Sequence, residues 1–142
     1  FGLSVEVCTP QTIMDRVVVL TRRDAFDRDA AAFCRSRSGE TAKSRDSILT
    51  VREHLNSVER SNQMLEICAE ICVAMGSDGL RGELTLLKTA RALAAFEGDY
   101  NVDRNHIKRI APMALSHRLR RDPLDDTGST VRVERTLDAV LG

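Results

Sequence analysis

Along most of this chain apolar side chains return at every third or fourth position, the spacing of one face of an α-helix. Thr9-Pro10 opens the first such stretch, with Thr9 as N-cap and Pro10 in the first helical position, where no backbone donor is needed. Ile13, Met14, Val17, Val18 and Leu20 then predict a helix to about Asp27, followed by a short apolar piece at 30–34. Residues 35–43 are polar and contain Gly39, which predicts a loop. A helix from about Glu40 or Ala42 to Leu55 follows, with Ile48, Leu49, Arg52 and Leu55 on one side. After a connector at 56–62, Leu65, Cys68, Ile71, Cys72 and Met75 form a clear stripe that Gly76 closes as a C-cap. Ser77-Asp78-Gly79 turns the chain into a helix carrying Leu80, Leu84, Leu87, Ala90 and Ala94 and ending at Gly98. Asp103 caps another, whose apolar side holds Ile107, Ile110, Ala111, Ala114, Leu115 and Leu119. Pro112 lacks a backbone donor, so a kink is expected within it. A turn-rich loop at 121–129 and an amphipathic helix at 130–141 complete the pattern.

One stretch breaks this period. In residues 1–7, Leu3, Val5 and Val7 alternate with Ser4 and Glu6, which predicts a strand. A lone short strand makes no sheet, so its partners are expected elsewhere. The fold class expected is all-α, a helical bundle with one short N-terminal strand.

Size and charge narrow the field. The 142 residues suit one compact domain or two very small ones, and 42% apolar content argues against disorder throughout. No apolar run exceeds five residues, so no membrane span is expected. Net formal charge is zero, which removes bulk attraction to nucleic acid or anionic lipid. The first residue is Phe1, and no basic stretch followed by an apolar one comes after it, so a processed or excised chain without a secretory signal is expected. Of the basic residues only Lys43, Lys88 and Lys108 are lysines; the arginine excess reflects either a GC-rich genome or a guanidinium-rich interaction surface. Cys8, Cys34, Cys68 and Cys72 then fit a reducing, cytoplasmic setting.

Few residues offer chemistry. Cys68 and Cys72 share a helical face, but a zinc site needs about four ligands and no nearby Cys or His completes one, so buried structural thiols are expected and no metal site. From 104 to 121 there are six Arg or Lys residues and no acid, a face for phosphates or for subunit contacts. His117 lies near that helix's end, where positive charge suits the dipole. Ser77-Asp78-Gly79-Leu80-Arg81-Gly82-Glu83 feeds a turn with two close glycines into a helix whose first turn holds Arg81. Free amides, the positive dipole end and a fixed guanidinium there suit a polyphosphate; a tight inter-helix turn with a surface arginine is the plainer account. Patterns of the P-loop, nucleophile-elbow, zincin and dinucleotide-binding kinds are absent, so no catalytic residue is assigned.

Gly79-Leu80-Arg81-Gly82-Glu83-Leu84 and Ala90-Arg91-Ala92-Leu93-Ala94-Ala95 resemble the sensor-2 helix of AAA+ ATPases of the chelatase type. Ala114-Leu115-Ser116-His117-Arg118-Leu119-Arg120-Arg121-Asp122-Pro123-Leu124-Asp125 resembles the tail of the magnesium chelatase ATPase (I) subunit family. The opening Phe1-Gly2-Leu3-Ser4-Val5-Glu6-Val7 is similar to the strand after that family's arginine finger. The likeness runs over nearly the whole chain and is weakest at 27–62. MoxR-like ATPases share the sensor-2 pattern, whereas the stretch from His117 to Asp125 singles out the chelatase.

The resemblance implies the C-terminal part of a ring-forming motor: a core strand at 1–8, connecting helices and a pre-sensor-2-type insert at 9–60, and a helical lid at 61–142. It implies ATP and Mg2+ as the parent's cofactors, with Arg81 contacting ATP phosphate as the nucleotide-binding residue. It implies that hydrolysis there drives Mg2+ insertion into protoporphyrin IX for (bacterio)chlorophyll. The implied partners are further copies in an AAA+ ring, an AAA+-like second chelatase subunit and a porphyrin-binding catalytic subunit. No nucleic acid and no membrane span are expected, and this chain alone should be inactive. Two other readings stay open: the lid of a MoxR-like AAA+ chaperone ATPase, and a non-enzymatic binding module using the basic helix 104–121.

Overall fold

The computed structural model describes residues 2–77, 79–118 and 129–142, and its described residues are organised by helices. Glu6–Thr50 form one unit; Phe1–Val5 and Val51–Gly142 form the other.

In the first unit, α1 covers Ile13–Arg28 and α2 covers Ala30–Ser36; α3 covers Ser38–His54, and its residues from Val51 on are assigned to the second unit. Thr12, not Thr9, caps α1. Its hydroxyl accepts the Asp15 N–H at 3.1 Å and donates to the Asp15 carboxylate at 2.6 Å, a reciprocal pair that Thr9 has no acid to make. Asp29 caps α2 through the Ala32 N–H at 2.8 Å. The loop expected at 35–43 is instead a single-residue joint at Arg37, and Gly39 lies inside α3. Glycine there costs about 1 kcal/mol against alanine. The Arg37–Glu40 ion pair at 2.7 Å and the Ser38 hydroxyl on the Arg35 carbonyl at 2.8 Å hold the helix start in spite of it. No residue of this unit is buried, and Ile13, Met14, Val17, Val18, Leu20, Ile48 and Leu49 all face solvent.

The second unit has the core. It is built from α4 (Asn62–Ala74), α5 (Arg81–Glu97), α6 (Arg104–Leu115) and α7 (Ser129–Leu141). The Ser61 hydroxyl caps α4 by accepting the Met64 N–H at 3.3 Å. At the other end Gly76, at φ +64°, lets Ser77 N–H reach Cys72 O and Gly76 N–H reach Val73 O, both at 3.0 Å. That paired closure satisfies two carbonyls that the helix leaves without donors. The α4 stripe is buried as the spacing predicts at Cys68, Ile71, Cys72 and Met75, with Met64 and Ile67 added, while Leu65 is only partly buried. So is that of α6, at Ile107, Ile110, Ala111, Ala114 and Leu115.

The stripe on α5 holds in its second half, where Ala90 and Ala94 are buried and Leu87 is partly buried against the core, and shifts in its first half. There Leu80 and Leu84 are exposed, while Gly82 and Leu86 are buried, with Ala95 added further on. The row 82, 86, 90, 94 advances four residues at a time and holds three small residues. Small side chains on this row and at Ala111 and Ala114 let α5 and α6, the most extensively contacting pair, approach closely. Val133 and Leu137 of α7 complete the core.

No strand forms over residues 2–7. Ser4 N–H donates to Met113 O at 2.8 Å, in the last turn of α6, where carbonyls outnumber intrahelical donors. A strand requires a ladder of such bonds from an extended neighbour, and among the described residues these have one helix carbonyl. The only β-pairing described is an isolated parallel bridge between Glu59 and Asn101. α6 runs through Pro112 and passes into a 3₁₀ turn at Ser116–Arg118. Leu119 and the expected loop, up to Ser129 at the start of α7, lie outside the described residues, as do Phe1 and Asp78.

The joint between α5 and α6 is fixed at both ends. Gly98, at φ +85°, closes α5, and Asp99 N–H returns to Ala94 O at 2.9 Å. Asp103 caps α6 by accepting the His106 N–H at 2.9 Å. The buried His106 ring folds back over Asp103, with Nδ1 2.7 Å from its carboxylate and 3.1 Å from its backbone nitrogen.

Candidate functional site

Arg81 is the first residue of α5 and is exposed. Leu80 at the N-cap supplies no side-chain hydrogen bond, and among the described residues no side chain caps the opening amides of α5. Arg81 itself has no ion pair among the described residues, although Glu83 lies in the same turn. An uncapped helix start with an exposed guanidinium is the geometry an anionic phosphate group fits.

Close packing lies directly beneath. A Cβ on Gly82 would sit 2.9 Å from Ser77 Oγ, 3.2 Å from Cys72 Sγ and 3.6 Å from Leu115 Cδ2. Glycine at 82 therefore seats the start of α5 on α4 and α6. Thr85 Oγ1 donates to Arg81 O at 2.7 Å and accepts from Arg118 Nη2 at 3.3 Å, while Arg118 Nε donates to Ala114 O at 3.1 Å. Arg118 thus ties the end of α6 to the first turns of α5.

Cys68 and Cys72 are core residues, as their spacing predicts. Burial, then the Glu83 carboxylate, pushes the Cys68 thiol up to about 11. Burial, then Glu83 and Cys68, pushes Cys72 up to about 12, against a lowering by Arg118. From an ordinary value of 9.0, these shifts cut the thiolate fraction roughly 100-fold and 1,000-fold near neutral pH. Cys8 and Cys34 are exposed. In native protein at pH 8 a thiol reagent should modify those two quickly and leave Cys68 and Cys72 until unfolding; four fast thiols would place the pair outside the core. Folding favours the protonated pair, so this contribution is complete below about pH 9 and is lost as pH climbs through 11–12.

Among the described residues of the basic stretch 104–121, three of the four Arg and Lys side chains are engaged. Lys108 pairs with Asp138 at 2.9 Å and Arg109 with Glu97 at 2.6 Å, and Arg118 holds α5. His117 is exposed, and Arg120 and Arg121 lie outside the described residues. Two features escaped the sequence reading. Gly82 was legible as a small residue on a helix, but not as a contact point. His106 followed Asp103 by three positions, a spacing that signals a reciprocal cap.

The AAA lid domain model matches residues 65–137. Over 141 residues, 99% of this chain, the sequence is 56% identical to the magnesium-chelatase 38 kDa subunit of Rhodobacter capsulatus, covering 40% of that protein. It is 55% identical to the 38 kDa subunit of Cereibacter sphaeroides over the same share of this chain and 42% of that protein. Against the magnesium-chelatase subunit ChlI of Cyanophora paradoxa it is 31% identical over 99% of this chain and 41% of the relative. The chain thus spans about two fifths of the length of the curated relatives it matches.

Proposed function

The chain belongs to the AAA lid domain family, and from that premise we propose that it is the C-terminal lid of the ATPase motor subunit of a magnesium chelatase. The observation that carries this reading is 56% identity, over nearly every residue, to a protein named as a subunit of that enzyme. In the proposal, residues 9–60 are the connecting helices and insert, and 61–142 are the lid. The parent assembles as a ring, uses ATP with Mg2+, and works in the cytoplasm. With an AAA+-like second subunit and a porphyrin-binding subunit, it drives insertion of Mg2+ into protoporphyrin IX. Among the described residues no helix is long and apolar enough to cross a membrane.

Arg81 carries the chemistry assigned to this chain. Its guanidinium neutralises phosphate charge while the N–H groups that open α5 donate to the same phosphate. Because Gly82 seats that turn on α4 and α6, a pull on Arg81 is felt by the packed helices. A phosphate-cradling G-x-x-x-x-G-K-[ST] loop is absent from these residues, so the main nucleotide cradle lies elsewhere in the proposed subunit.

Reconstitution tests the reading. The 142-residue chain alone should hydrolyse no ATP above a buffer blank. A longer subunit containing it, mixed with the two partner subunits, ATP and protoporphyrin IX, should yield the magnesium porphyrin, read by its fluorescence. Turnover by the isolated chain, or no product from the complete mixture, refutes the assignment.

A further inference from the structure

Near the start of α5, we propose that Thr85 and Arg118 are positioning residues for Arg81, an inference that rests on the phosphate contact proposed for Arg81. A run of hydrogen bonds joins them. Arg118 Nε donates to Ala114 O at 3.1 Å, Arg118 Nη2 to Thr85 Oγ1 at 3.3 Å, and Thr85 Oγ1 to Arg81 O at 2.7 Å. The run therefore leads from the last turn of α6 to the residue that opens α5.

The direction of each bond follows from what the atoms carry. A guanidinium only donates, so the Thr85 hydroxyl accepts from it and gives its own proton to the Arg81 carbonyl. A cation donating to a hydroxyl polarises it and strengthens the bond that the hydroxyl makes onward. The Thr85 methyl lies beside Gly2, where an added Cβ would come to 3.9 Å from Cγ2. Branching at Cβ leaves threonine few rotamers, so the packed methyl also aims the hydroxyl.

Arg81 needs such a hold. Its side chain is exposed and makes no ion pair among the described residues. Leu80 at the N-cap gives no side-chain bond, and a helix start without one is about 1 kcal/mol less stable. A guanidinium assists phosphoryl transfer only where it meets the charge as it forms, and an ångström of misplacement can cost roughly 10²-fold. Gly82 fixes where this turn sits on α4 and α6. The tie through Thr85 fixes the carbonyl edge of the same turn. Arg118 suits the task because its planar fork sends Nε to one helix and Nη2 to the other at a set angle, which a lysine ammonium cannot do.

The test is made in the longer motor subunit containing this chain, with Thr85→Val and Arg118→Met, each alone and each combined with Arg81→Ala. Valine keeps the shape of threonine and drops the hydroxyl, so Thr85→Val decides the matter should Arg118→Met loosen the end of α6. Circular dichroism checks both. Each single variant should lower kcat by about 10-fold, inside the range that misplacement costs, with KM for ATP nearly unchanged. Thr85→Ser, which keeps the hydroxyl, should recover most of the rate. In Arg81→Ala subunits, whose residual turnover is read above a buffer blank, neither substitution should lower the rate further. A merely structural tie would cost the same factor in both backgrounds. Equal losses with and without Arg81, or parent-rate hydrolysis in Thr85→Val when Arg81→Ala is slow, overturn the positioning role alone. Parent-rate hydrolysis in Arg81→Ala removes the phosphate contact itself, and the positioning role with it.

Discussion

Replacing Arg81 with Ala in the longer motor subunit is expected to lower ATP hydrolysis by roughly 10³-fold, the scale on which a guanidinium aimed at transition-state charge acts in phosphoryl transfer. The fold should survive, because the side chain is exposed and makes no ion pair among the described residues. Circular dichroism and gel filtration of the variant should match the parent. Arg81→Lys should rescue poorly, since an ammonium is a point charge without the planar fork. Mixed rings add geometry: a residue acting on a neighbour's nucleotide lowers the rate of wild-type subunits beside it. Hydrolysis at the parent rate in Arg81→Ala rings would return Arg81 to the surface and remove the site.

Leu86→Ala should destabilise the second unit by about 2–5 kcal/mol, the range for truncating a large core side chain. Leu86 is 0% exposed and sits midway along the buried row of α5. Leu84, two residues earlier, is 53% exposed, and Leu84→Ala should cost no more than about 0.5 kcal/mol. Urea unfolding of the two variants measures both. Equal losses, or a larger one at Leu84, would mean that α5 turns the other face inward.

That contrast shows where sequence alone stops. The stretch Glu83-Leu84-Thr85-Leu86-Leu87 offers leucine at three of five positions, so periodicity admits more than one inward face. The choice belongs to α6, whose Ala111 and Ala114 admit the small row and not the leucine-rich one. On α4 and α6 no such choice exists, and their stripes, the Gly76 closure and the Asp103 cap are all legible. Gly39 misled for a different reason: ion pairing across Arg37 and Glu40 offsets a local preference for a break. Arg81 was visible as a cation opening a helix, because helix starts are marked by turn residues. His106 carried only the signal of its place three residues after Asp103; that Glu97 and Asp99 come to 3.3 and 3.2 Å from its Nε2 depends on how the joint folds and has no local signature.

The length of α5 gives the chain a mechanical property. Its 17 residues span about 25 Å at the usual rise, with Arg81 at one end and the Glu97–Asp99–His106 cluster at the other. Held along its middle by close backbone contact, such a rod turns as one piece. In the proposed role of Arg81, a tilt of about 5° set by a bound phosphate would displace the far end by about 2 Å, comparable to the small helix shifts that switch subunit interfaces. The joint at Gly98 and Asp103 is short and hydrogen-bonded, so α6 receives that displacement with little slack.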